Sequence, residues 1–350
     1  MTVSLKGKRI AIVGGAGFIG HNMAMSYSRQ GAEVFVVDGL QVNNLLSFSS
    51  SGNEVQNREL YLRIIQQRLD LLHKAGIPVF VQDARDYQAL TRLFTGPIKK
   101  PQVIIHLAAV SHAGRSNKDP WSTFDHSSRT LENALDCARG NAEHFIYFSS
   151  SMAYGNFQTE VVDEEHPLNP IGIYGALKVG GEKIVIAYKQ VFDLDYTIIR
   201  PSALYGPRCV SRRVGQIFIE NAISGKPLRI EGDGEEKLDF TYIEDLVDGV
   251  ARVMSTPAAR NQIFNLTYGG ARSIKELADI VVREFPGTPV ERVKRDALMP
   301  VRGTLSVEKA RKLIGFEPQW PIERGMAEYI DWYRTPMDAR PLPAPNAVGR

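Results

Sequence analysis

Six short, near-continuously apolar runs, KRIAIVGG (8–15), AEVFVVD (32–38), PVFVQD (78–83), PQVIIHLAA (101–109), HFIYFSSS (144–151) and DYTIIRPS (195–202), alternate with helical stretches over the first two hundred residues. A strand that is apolar on both faces must be covered on both. Strand–helix alternation achieves this by winding helices over the two sides of a parallel sheet. The expected fold class is therefore α/β, a doubly wound parallel sheet, with six strands read from the pattern. From about residue 203 the alternation loosens into SRRVGQIFIENAISG, turn-rich EGDGEEK, FTYIEDLVDGVARVM and strand-like QIFNLTYG. That stretch reads as a smaller C-terminal α/β part interleaved with the first.

A chain of 350 residues with 43% hydrophobic and 23% charged residues can bury a sizeable core, which excludes a disordered, collagenous or disulfide-scaffold protein. Its 42 basic and 39 acidic residues leave a net charge of only +3. That excess is too small for a dedicated nucleic-acid or membrane-surface binder, so a small-molecule partner is expected. Cys137 and Cys209 stand far apart without metal-ligand spacing, and the opening MTVSLKGKRIAIVGG lacks the apolar core of a signal peptide. A reducing cytoplasm is the expected setting, with no metal and no bilayer-spanning segment.

Between Asp38 and Pro78 lies a connection that is long for this architecture, and its second half places Leu62, Ile65, Leu69 and Leu72 on one helical face. It reads as a helix packed on the sheet edge; a lid over the ligand or a dimer contact stays open as the alternative.

Gly14, Gly17 and Gly20 in GGAGFIG directly follow the first run and open a helix whose first turn carries Phe18 and Ile19. A chain must turn tightly there and let its backbone N–H groups approach a pyrophosphate, which a side chain would obstruct. Asp38 ends the second run eighteen residues beyond Gly20. A carboxylate at that place accepts hydrogen bonds from the adenosine ribose hydroxyls and repels a 2′-phosphate, so the expected cofactor is NAD rather than NADP.

Tyr174 and Lys178 in YGALK are four apart, on one face of a helix. A free phenol titrates near pH ~10 and is a poor base at neutral pH, but an adjacent ammonium stabilises the phenolate and makes it a usable one. Ser149, Ser150 and Ser151 end the fifth run at its carboxyl edge, where open α/β sheets place ligands, so a hydroxyl there can reach a substrate oxygen.

These segments, together with DARD, HLAA, SSSMAYG, RPSALYGPR, GDGEEKLDFTYIEDL and SVEKARKLIGFEP, resemble in order and over nearly the whole chain the NAD-dependent epimerase/dehydratase family of extended short-chain dehydrogenases. The resemblance implies a Rossmann domain holding NAD over residues 1–202, with a return segment near 239–268. It implies a part over 203–335 that holds a nucleotide-diphosphate sugar, with a flexible tail over 336–350. A homodimer built through a four-helix contact is implied as well. Ser150 falls on the family's catalytic hydroxyl, Tyr174 on its base and Lys178 on the lysine that binds the nicotinamide ribose. Asp83 and Ala84 match the adenine-contacting pair, and Leu107, Ala108 and Ala109 match the strand end lining the cofactor. In the implied mechanism Tyr174 takes the proton of a sugar hydroxyl, usually at C4, while the carbon's hydride passes to NAD; returning it to the other face of the ketone gives the epimer.

The departures from the pattern narrow this expectation. Family 4,6-dehydratases resemble one another in an Asp-Glu pair after the catalytic hydroxyl, where this chain has Ser151 and Met152, so dehydration by that route is not expected. Ala203 replaces a usual Asn, Leu238 a usual Arg and Ser127 a further Asn. The diphosphate is therefore expected on arginines such as Arg208, Arg212, Arg213, Arg295 or Arg302, or on Lys237. Ser111 and Arg115, after the fourth run, join Ser151 and Ala203 as expected sugar contacts. The leading expectation is an NAD-dependent C4 epimerase of a UDP-sugar. A net NAD-dependent dehydrogenase or reductase of a nucleotide sugar, and a non-catalytic NAD-binding regulator, stay open beside it.

Overall fold

The computed structural model describes residues 3–50, 55–110, 113–296 and 298–335; the expected tail, 336–350, lies outside them. Seven parallel strands form the central sheet: β1 (Arg9–Val13), β2 (Glu33–Asp38), β3 (Val79–Val81), β4 (Val103–His106), β5 (His144–Phe148), β6 (Tyr196–Arg200) and β7 (Gln262–Asn265). Their order is 7-6-5-4-1-2-3. The first six are the runs read from the sequence. The seventh corrects the count: Gln262–Asn265 returns from the C-terminal part and pairs with β6, Ile263 against Ile198.

Alternate residues of each strand feed two different cores, which is why the runs are apolar throughout. Ile10, Ile12, Val34, Val36, Ile105 and Ile146 point into one core, and Ala11, Val13, Phe35, Val37, Ile104 and Phe145 into the other. Three helices position the groups around the carboxyl edge of this sheet. Helix α1 (Phe18–Arg29) leaves the glycine turn; α2 (Arg58–Lys74) belongs to the long connection; α3 (Gly172–Phe192) carries the Tyr-x-x-x-Lys pair. Helix α3 ends at Asp193, which is left-handed (φ 56°) and paired to Lys189 at 2.6 Å.

Helix α2 packs beside α1, and its buried side chains share one core with Val34 and Val36 of β2 and with Val79 of the edge strand β3. Its buried stripe is Tyr61, Ile64, Ile65, Arg68, Leu71 and Leu72, while Leu62 and Leu69 are only partly buried. The expected face is thus rotated, because a stripe counted from aliphatic residues alone passes over Tyr61 and Arg68.

β2 and β4 flank β1 and the chain winds away from it in both directions, which opens a crevice at the carboxyl ends of these strands. The C-terminal part closes over it with two-stranded ladders, among them Leu228–Glu231 beside Val290–Val293 and Leu204–Tyr205 beside Thr241–Tyr242.

Candidate active site

Two cavities meet in this crevice. The first brings together Gly14, Gly17, Phe18, Ile19, Gly20, Asp38, Asp83, Ala84, Leu107, Ala108 and Ala109, eleven of the residues expected around a dinucleotide; the other two, Tyr174 and Lys178, line the second cavity instead. Its floor is made by close backbone approach. Gly14 is left-handed (φ 84°), and a Cβ there would stand 2.6 Å from the Ala108 amide nitrogen; at Gly20 it would stand 2.4 Å from the Gly15 Cα. Gly17 starts α1 in an extended conformation with no side-chain cap, which leaves the N–H groups of the first turn to an anionic ligand. Turn, uncapped helix start and acid together fit a dinucleotide: two glycines that tolerate no side chain, donors for phosphate and an acceptor for ribose.

Asp38 is held by the turn it serves. One carboxylate oxygen accepts the Ala16 N–H at 2.9 Å and the other the Leu40 N–H at 2.7 Å, while burial raises its pKa against these bonds. Asp83 is committed too. Partial burial pushes its pKa up, but hydrogen bonds from Arg85 and Gln41 win and hold it at about 2. Its carboxylate therefore stands at the cavity wall as half of an ion pair. Arg68 from α2 and His126 line the same cavity. Sequence reasoning missed both.

The second cavity, of about 450 Å³, runs between the sheet and the C-terminal part, within the size range of small-molecule sites. Ile19, Leu107, Ala109 and Arg213 line both cavities, so the second continues the first. Tyr174 and Lys178 face it from α3, and Ser149, Ser150 and Ser151 from the end of β5. The Lys178 ammonium donates to the Phe148 carbonyl at 2.7 Å and stands 5.8 Å from the centre of the Tyr174 ring. Burial pushes Lys178 down to about 8, and the charge of Glu182, one turn further along α3, works against that. Ser149 donates to Glu182, whereas Ser150 accepts the Met152 N–H at 3.2 Å and caps a short turn, its oxygen at the cavity wall. Of the three serines, Ser149 is thus spent on structure.

Glu182 is also the partner of Arg200 on β6. The two form a buried pair at 2.7 Å with side chains 2% exposed, and Arg200 donates further to Tyr154 and to the Glu164 carbonyl. This network joins α3 to the sheet directly behind Tyr174 and Lys178.

The expected substrate contacts divide. Ser151, Ala203, Arg213 and Arg302 line the second cavity, as do Arg212 and Leu238. Ala203 is left-handed (φ 36°), an uncommon conformation for a residue with a Cβ. Arg302 is largely buried against the cavity, its side chain 10% exposed: its Nε has no hydrogen-bond partner, Glu236 stands 3.8 Å away, and burial lowers its pKa to about 10. Arg208 lines neither cavity and is buried behind the wall. Arg115 is exposed on the short helix Ala113–Lys118, away from the lining of either. Lys237 pairs with Glu160 on the surface and Arg295 with Glu236. Ser111 lies outside the described residues.

Known proteins share this arrangement at the level of family and fold. The family model of the NAD dependent epimerase/dehydratase family matches residues 10–267. The UDP-glucose 4-epimerase of Mycolicibacterium smegmatis is 30% identical over 243 residues, 67% of this chain and 77% of that protein. The crystal structure of UDP-glucose 4-epimerase from Thermotoga maritima with UDP-glucose superposes with a TM-score of 0.79 at 26% identity, covering 93% of this chain and 98% of that one. The dTDP-glucose 4,6-dehydratase of Streptomyces venezuelae, solved with NAD bound, gives 0.80 at 25% identity, covering 93% and 97%. With the glycine turn, the ribose acid and the Tyr-Lys helix on one crevice, the match fixes the conclusion: this chain belongs to the NAD-dependent epimerase/dehydratase family, and NAD is its cofactor.

Proposed function

We propose that the protein is an NAD-dependent epimerase of a nucleotide-diphosphate sugar, acting at C4 of a UDP-hexose. The observation that carries this reading is the position of Tyr174, Lys178 and Ser150 on the cavity that continues the cofactor cleft. When bound there, NAD supplies a reversible hydride acceptor. The chain's own part is proton transfer and positioning. Tyr174 takes the hydroxyl proton of the sugar and later gives it back, Ser150 hydrogen-bonds the same oxygen, and the Lys178 ammonium stands beside the Tyr174 ring. Met152, 7% exposed at the cavity wall, and Ser151 stand just after Ser150 and carry no carboxyl to assist loss of water from the sugar. That favours epimerisation over dehydration, and the volume of about 450 Å³ leaves room for a keto-sugar to turn over.

Arg302 supplies the diphosphate with a buried cation whose protein counter-ion, Glu236, sits at 3.8 Å, beyond hydrogen-bonding distance. Replacing Arg302 with Met is expected to raise KM for the nucleotide sugar by about 10- to 100-fold, with a much smaller change in kcat, as read from steady-state kinetics.

A homodimer is part of the proposal. Trp121 (78% exposed) and Phe124 lie on the short helix Pro120–Phe124, and Ile184 and Val191 on α3, as exposed apolar side chains that a second copy would cover. No helix among the described residues is long and apolar enough to cross a membrane. Cys137 and Cys209 are buried and unpaired, which fits a cytoplasmic setting.

The test is incubation with a panel of UDP-, GDP-, CDP- and dTDP-sugars, uronic acids included, with product stereochemistry read by NMR and absorbance followed at 340 nm. Epimer formation at constant absorbance is the expected result. Stoichiometric NADH production would replace this reading with a net dehydrogenase, and no turnover of any sugar with a non-catalytic NAD binder.

A further inference from the structure

Arg68 is a charge in a place where charges are expensive. It sits in the apolar stripe of α2 and is 1% exposed. Its Nε and Nη2 both donate to the same carbonyl, that of Arg208, with Nε at 2.9 Å. A carbonyl satisfies donors but does not neutralise a cation, and among the described residues no carboxylate lies within salt-bridge distance of Arg68. Burial draws its pKa down to about 10, which leaves it charged at neutral pH. The charge of Asp38 reaches it, but both Asp38 oxygens already accept backbone N–H groups. Arg208, a second buried cation, adds to the positive potential, and burial keeps His21, under the glycine turn, neutral between them. A buried cation without a counter-charge is strongly unfavourable unless a ligand supplies one.

The cavity that Arg68 lines is the dinucleotide cleft, where it shares the wall with Gly17, Phe18 and Asp38. The anion that enters there is the pyrophosphate. Arg68 is also tied to the loop that walls the second cavity through Cys209, Arg212 and Arg213. The residue whose carbonyl it holds, Arg208, is left-handed (φ 65°), and so is Arg212 (φ 52°). The Arg212 amide donates to Gln216, Gln216 donates to Glu220, and Glu220 accepts Asn57 and Tyr61 from the start of the α2 segment. The connection that contains α2 thus grips the 206–216 loop at both unusual backbone positions.

We propose that Arg68 is a further cofactor-binding residue, the charge partner of the NAD pyrophosphate, and that through the Arg208 carbonyl it ties cofactor binding to the loop carrying Arg212 and Arg213. This assigns the long connection between β2 and β3 a role as a clasp between the two cavities. The inference concerns the cofactor and holds whichever sugar the enzyme takes.

The experiment is calorimetric titration of NAD-stripped protein with NAD and, separately, with adenosine, which lacks phosphate. For Arg68→Met, and for Arg68→Gln should the first variant not fold, NAD affinity is expected to fall about 10- to 100-fold while adenosine affinity stays within about threefold. Arg68→Lys, which keeps the charge, is expected to recover most of the NAD affinity. Wild-type NAD affinity in a folded Arg68→Met or Arg68→Gln protein would overturn the proposal. So would an equal loss for NAD and adenosine, since that marks a merely structural residue.

Discussion

Tyr174→Phe is expected to lower turnover by about 10²- to 10⁴-fold while the purified protein carries as much NAD as the wild type. The ring of Tyr174 is 8% exposed, so phenylalanine fills the same space and the packing of α3 is kept. What disappears is the one atom that can exchange a proton with the sugar hydroxyl. Cofactor retention is expected to rest on other groups: the Gly14 and Gly20 turn, the uncapped start of α1 and Asp38. The pair of measurements, NMR-monitored epimerisation and NAD released on denaturation, separates loss of the base from loss of the site. Activity within about threefold of wild type would remove Tyr174 from the chemistry, being less than the smallest effect ordinarily seen for such a group.

Arg200→Leu is expected to destabilise the fold by about 3–5 kcal/mol, because it leaves Glu182 buried without its counter-charge. The loss extends beyond one ion pair, since Arg200 also satisfies the Tyr154 hydroxyl and the Glu164 carbonyl. Removing both charges in Arg200→Leu/Glu182→Leu is expected to recover part of that loss, as replacing a whole buried pair by apolar groups is far milder than breaking it. Urea unfolding of the three proteins gives the comparison. A single-variant cost below about 1 kcal/mol would mean that water reaches this network and that it does not anchor α3 behind Lys178.

The cofactor end of the molecule is legible in the sequence because its constraints are local. Gly14, Gly17, Gly20 and Asp38 act through backbone conformation and short spacing, and Tyr174 and Lys178 through a single helical turn. What the sequence hides depends on distant partners. Arg68 looks like an ordinary helix-surface arginine until the Arg208 carbonyl, 140 positions away, is brought to it. Arg208 in turn reads as a phosphate ligand, yet it is left-handed and buried and lines neither cavity. Arg115 stands near the right strand end but on the exposed face of its short helix. The seventh strand escapes the count for a related reason: Gln262–Asn265 pairs with a strand more than sixty residues earlier, outside the alternating pattern. Arg302 is one of several arginines the sequence offers, and only the fold singles it out. Its place on the second cavity sets it apart from Arg208 and Arg295, and its Nε there has no hydrogen-bond partner.

Epimerisation run in D₂O tests the proposed chemistry most directly. A phenol–nicotinamide site that lifts the C4 hydrogen as a hydride and returns it to the other face should give an epimer that keeps protium at C4, with no net change in absorbance at 340 nm. Deuterium at C4 of the product, or a dehydrated keto-sugar in its place, would contradict that chemistry while leaving the dinucleotide fold intact.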